Sequence, residues 1–133
     1  MRKLRLKDKT GQSLIEFALV LPILLLVVFG ITEFGRAIMT VNVLNTASRE
    51  GARLAAVSPV SDSLSVQSRV VEVLQAANID VANIKEIKIE FAPADKSVRV
   101  TVTVDFEVLS AKVLDPFKGV LPLTATTVMR YEG

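Results

Sequence analysis

Residues 11–31, GQSLIEFALVLPILLLVVFGI, constrain this chain more than any other stretch, because a run so apolar cannot simply be left in water. From Phe17 to Thr32 there is no charge, and the 23 residues from Thr10 to Thr32 are interrupted by a single acid, Glu16. A helix rises about 1.5 Å per residue and a bilayer core is about 30 Å thick, so roughly 20 such residues span it. The stretch therefore predicts a transmembrane helix over 12–35, with lipid as its partner. Glu16 is the anomaly. A carboxylate toward the middle of such a helix costs about 2.5–3.5 kcal/mol, less near an interface, and a plain anchor would carry Leu there.

Charge orients the span. The leader 1–11 holds Arg2, Lys3, Arg5, Lys7 and Lys9 against Asp8, while the whole chain is only +2. The remainder is thus mildly acidic, which argues against nucleic acid as a partner, since that binding needs clustered cations to neutralise phosphates. Basic flanks favour the cytoplasmic side, so the leader predicts the N-terminus inside and the rest of the chain outside. With neither Cys nor His, the sequence excludes disulfides, Ser-His-Asp and Cys-His nucleophiles, and zinc sites built on nitrogen or sulfur. It offers no phosphate loop and no cluster of metal ligands, so no catalytic, cofactor or metal residue is assigned. Glu86 and Glu90 could be imagined as a carboxylate pair, but their even spacing places them on the exposed face of a strand.

An ordinary secretory signal would end in a small-x-small cleavage site, whereas this run ends in Phe29-Gly30-Ile31-Thr32-Glu33. Cleavage ahead of the run is the alternative. Gly11 followed by Gln12-Ser13-Leu14-Ile15-Glu16-Phe17 resembles the processing site of prepilins, in which a membrane peptidase cuts after Gly and a Glu lies at the fifth mature position. The span and its continuation to Arg36, together with Ala47-Ser48-Arg49-Glu50-Gly51-Ala52-Arg53-Leu54-Ala55, are similar to the TadE-like family of the tight-adherence pilus system. Gln12 stands where classical type IV pilins begin with Phe, and the chain is much longer than the major tight-adherence subunits. The resemblance therefore implies a minor pilin or pseudopilin, cut between Gly11 and Gln12 by prepilin peptidase. Its further partners would be other pilin or pseudopilin subunits and the assembly platform. Glu16 would set axial register against the amine of an adjacent subunit; an intramolecular pair, or a carboxylate reaching the headgroups, is the other possibility.

Past the membrane, 36–57 lacks Pro and repeats small or apolar residues every three to four positions, so the helix should continue. Ala47, Gly51 and Ala55 form a shallow groove at successive i,i+4 steps. Either another subunit's helix or the chain's own sheet could fill it. Ser58-Pro59 stops the helix. Ser61-Asp62-Ser63 supplies caps for a second helix within 62–78, with Val66, Val70, Val73, Leu74 and Ala77 on one face and Asn78 as its stop. Alternation predicts strands at 86–91 and 98–108 joined by a turn at Pro93-Ala94-Asp95-Lys96, and a Thr-rich third strand at 121–130 after a loop. Pro122 confines the start of that strand to an edge or an end.

The expected fold class is α+β: a long N-terminal helix, half in membrane, continuing into an exported head, 36–133, with a second helix and a three-stranded antiparallel sheet over 86–131. A head freed of the span, from about Val41 onward, should be soluble. The function expected from the resemblance is assembly of a pilus from the inner membrane, with incorporation into the fibre left open. The competing reading is a single-pass envelope protein whose head binds a ligand or partner.

Overall fold

The computed structural model describes residues 9–114 and 119–132. Most of the basic leader, residues 1–8, and Pro116 in the expected loop lie outside them. Helix α1, Lys9–Val57, runs 49 residues with Pro22 inside it. Pro22 has no N–H to give to the carbonyl four residues back, yet one missing bond in so long a helix does not end it. The end comes at Ser58, whose N–H still reaches the Leu54 carbonyl at 3.0 Å before Pro59 forbids another turn.

Helix α2 is Ser63–Ala76. Asp62 holds the N-cap position as expected, but its side chain makes no capping bond; instead the Ser65 hydroxyl donates to the Asp62 carbonyl at 3.0 Å. The other end closes as the sequence suggests. Asn78 adopts φ 60, and the N–H groups of Asn78 and Ile79 turn back to the carbonyls of Gln75 and Leu74 at 2.9 and 3.0 Å. This left-handed closure satisfies two orphan carbonyls and folds Ile79 onto the core. A single 3-10 turn, Val81–Asn83, follows, with the Asp80 carboxylate accepting from the Ala82 N–H at 3.0 Å.

Strands β1 (Ile84–Ala92), β2 (Ser97–Glu107) and β3 (Val120–Arg130) form one antiparallel sheet in the order β1-β2-β3. β1 starts two residues before the alternation did, because an irregularity between Ile84 and Glu86 sets Lys85 aside and lets Ile84 face Val104. In the β1–β2 turn, Lys96 sits at φ 46, left-handed backbone that a non-glycine residue takes at some cost. Pro122 opposes Asp105 in β3, an edge strand, where a missing N–H is tolerated. Between β2 and β3, where the composition predicts a loop, Leu109–Leu114 form a short helix, α3.

The central strand shows its two faces most plainly. Val98, Val100, Val102, Val104 and Phe106 are buried, while Arg99, Thr101, Thr103, Asp105 and Glu107 line the other side. Against the apolar face lies α1, crossing β2 and β3, with α2 alongside α1. The core joins Leu44, Ala47, Ala52 and Ala55 of α1 to Val66, Val70 and Leu74 of α2 and to the β2 valines. On the outward face, Thr101 meets Thr126 and Thr103 meets Thr124 across the strands at 3.1 and 3.0 Å. The C-terminal end is tied down as well: the Glu132 N–H donates to the Ala56 carbonyl at 2.9 Å, and Tyr131 packs edge-on against Phe91 at 5.6 Å.

Candidate functional site

Helix α1 carries the residues that the sequence singles out, and the structure divides it by what covers it. At its start the Gly11–Gln12 peptide lies in the first turns. One turn further, the Gln12 side-chain amide donates to the Glu16 carboxylate at 3.2 Å. The i,i+4 relation that the sequence implies is therefore realised, and Glu16 is brought over Gln12. From residue 12 to residue 32 every position is exposed, including Phe17, Leu24, Phe29 and Ile31. This is the part long and apolar enough to cross a membrane, and none of it is buried by the rest of the chain. The Thr32 hydroxyl returns to the Val28 carbonyl at 2.9 Å, which satisfies a polar group that hydrocarbon would leave unpaired.

The covering begins at Glu33. Its carboxylate pairs with Arg36 at 3.1 Å and accepts the backbone N–H of Leu109, first residue of α3, also at 3.1 Å. Arg36 in turn lies over the Phe106 ring, 5.2 Å from its centroid. An acid, a cation, an aromatic face and a helix start thus clamp α1 to the head one residue past the apolar run. This clamp moves the practical boundary of the head back to Glu33. Cutting at Val41, as the sequence alone suggested for a soluble fragment, would discard both Glu33 and Arg36 and leave Phe106 and Leu109 without them.

Further along, the structure places Ala47, Gly51 and Ala55 inside the head. Ala47 and Ala55 are fully buried, and Gly51 faces Val66, Val70 and Val100. The chain's own sheet, one of the two occupants that the small-residue groove left open, fills part of it through β2, and α2, which neither alternative named, fills the rest. Beside them the buried Ser48 hydroxyl meets Thr127 of β3 at 2.7 Å, a tie between helix and sheet that no periodicity signals. Arg49 and Arg53 are exposed, and Glu50 pairs with Arg69 of α2 at 3.7 Å rather than with either of them. Arg69 also bonds Glu72 at 2.9 Å; that bond, the Glu72 charge and the neighbouring Glu50 hold its guanidinium above its ordinary pKa.

On the outer face of β1 one carboxylate is paired. Glu90 accepts from Lys88 at 2.7 Å, and that hydrogen bond and charge lower the Glu90 pKa and raise that of Lys88. An ammonium committed to Glu90 beside open solvent is ordinary surface charge, worth little to stability. The residues with distinctive placement are therefore those on α1: Gln12 and Glu16 in its first turns, and Glu33 and Arg36 where the helix meets the head.

Residues 11–53 match the protein family described as TadE-like protein. The match opens at Gly11, takes in the whole uncovered stretch of α1 and ends at Arg53, within the part packed on the head. No curated protein and no solved structure matches the chain.

Proposed function

We propose that this TadE-like chain is a minor pilin or pseudopilin: a subunit held in the inner membrane by residues 12–35 and presented to other pilus components by its uncovered helix. The observation that carries the reading is the pairing of Gln12 with Glu16 at the start of the uncovered stretch 12–32, in which Glu16 is the only charge. Cutting after Gly11 would turn Gln12 into a chain terminus bearing a cationic amine one turn below the Glu16 carboxylate. Such a carboxylate, near a helix N-terminus, already gains about 0.3–1 kcal/mol from the backbone dipole. An amine, its own or a neighbour's, supplies the rest of what lipid takes away. The basic leader supports an N-terminus in the cytoplasm and a head outside. Prepilin peptidase is the processing partner on this reading, and other pilins and the assembly platform are the structural ones. The role is structural rather than catalytic.

The reading is tested first at the cut. In a host with an active prepilin peptidase the mature chain should begin at Gln12, and Gly11→Val should retain the leader, as read by N-terminal sequencing of protein taken from membranes. Recovery of wild-type chains that begin at Met1 would remove the processing step. The second test is Glu16→Leu, which should insert at least as well as wild type yet fail to support piliation. Normal piliation by a strain whose only copy is Glu16→Leu would leave the helix as an anchor and nothing more.

A further inference from the structure

Among the described residues, the end of the head nearest the span turns three apolar side chains outward. Leu109, which opens α3, is 53% exposed, and Val120 and Leu121, which open β3, are 46% and 55% exposed. They belong to one end of the sheet: Val120 and Leu121 pair with Glu107 and Phe106 at the close of β2. There the Val108 N–H also donates to the Gly119 carbonyl at 2.7 Å, drawing the two ends of the crossover together. On α1, Phe34 and Ile38 continue the exposed apolar surface beyond Glu33.

One bond sets the depth of this end. The uncovered residues 12–32 make about 32 Å of helix at 1.5 Å each, which matches the hydrocarbon thickness of a bilayer. Glu33 then stands at the membrane boundary. Its carboxylate holds the Leu109 N–H at 3.1 Å, so the start of α3 stands at that level too. The acid itself is paired with Arg36, which makes its place at an interface less costly.

We propose that the Leu109, Val120 and Leu121 end of the head is a membrane-contact surface that rests in the outer headgroup and acyl boundary beside the span. Lipid is the occupant because the Glu33 bond holds this end at the depth where lipid already surrounds the same helix, and α1 itself stays apolar there through the exposed Phe34 and Ile38. The inference requires only that α1 crosses the bilayer. It is independent of any role in a pilus.

The absence of native cysteine makes the test direct. The full chain is reconstituted in phosphatidylethanolamine and phosphatidylglycerol vesicles with an environment-sensitive fluorophore on Leu109→Cys or Leu121→Cys. Leu25→Cys, within the span, verifies insertion. Leu64→Cys is the reference, since Leu64 is 74% exposed near the start of α2, close after the distal end of α1. With lipids brominated near the carbonyl end of the acyl chain, labels at 109 and 121 should lose most of their fluorescence while the label at 64 keeps its own. If 109 and 121 behave as 64 does in vesicles where Leu25→Cys is quenched by deep bromines, the proposal is overturned. Shielding of 109 and 121 that follows protein density rather than bromination would overturn it too, assigning the surface to a second copy of the chain.

Discussion

A chain carrying Val102→Asp should lose its folded head. Val102 is fully buried at the middle of the central strand, facing Ile87 on one side and Ala125 on the other. A carboxylate there has no cation within the core, and burying it costs several kcal/mol out of the roughly 5–15 kcal/mol that holds a domain together. Thr103→Asp, one residue away, points outward. It gives up a hydroxyl contact with Thr124 and sets an acid opposite Glu86, a cross-strand repulsion of about 0.2–1 kcal/mol. Urea unfolding of the full chain in detergent, followed by circular dichroism, should therefore show a normal transition for Thr103→Asp and none for Val102→Asp. Similar behaviour of the two variants would mean that the facing of β2 is wrong.

The second large effect is expected at Gly51. A Cβ built there would lie 2.6 Å from Val70 Cγ2 and 3.3 Å from Val100 Cγ1. Glycine in a helix interior costs about 1 kcal/mol relative to alanine, so on propensity alone Gly51→Ala would stabilise α1. Packing reverses the sign. Val70 is buried, and a β-branched side chain in a helix has one strongly preferred rotamer, so it cannot swing aside. Overpacking of this kind costs about 1–3 kcal/mol, and Gly51→Leu should drive α2 off α1 and unfold the head. The mechanism can be isolated by a double-mutant cycle. Val70→Ala should be destabilising alone but less so with Ala at 51, because the added methyl occupies the space that the valine vacates. Additive effects in that cycle would show that the two residues do not meet.

What the sequence made legible, and what it hid, follows from the range of the interactions involved. The alternation from Val98 to Phe106 could be read because each inward residue is buried by the same strand geometry that spaces it. The stop at Asn78 was equally local: the residue type that tolerates left-handed backbone stands where the helix closes. Helix α3 was hidden because six residues of ordinary composition do not hold a helix alone, and the group that caps its first N–H is Glu33, far away in the chain. The same holds for Arg36, visible as one more polar residue after the span, while the Phe106 ring beneath it is not. At Ala47, Gly51 and Ala55 the spacing announced close approach without naming the visitor. Two helices in a bundle and a helix on its own sheet ask for the same small side chains. The choice fell to α2 and β2, which the chain tethers nearby and a separate subunit must reach by diffusion. For Gln12 and Glu16 the local geometry was legible in full, since one turn of helix relates them.

The clamp at Glu33 and the tie from Ser48 to Thr127 grip α1 at two heights, with the closely fitted Gly51 above. A head held in this way cannot swivel about its stalk, so the stalk behaves as a crankshaft. Each residue along it carries about 100° of azimuth and 1.5 Å of lift. Whatever grips the stripe of residues between 12 and 32 also chooses the compass bearing of the threonine-lined face of the sheet. A neighbour that engaged the stalk one residue higher on an equivalent stripe would find that face turned by more than a quarter circle.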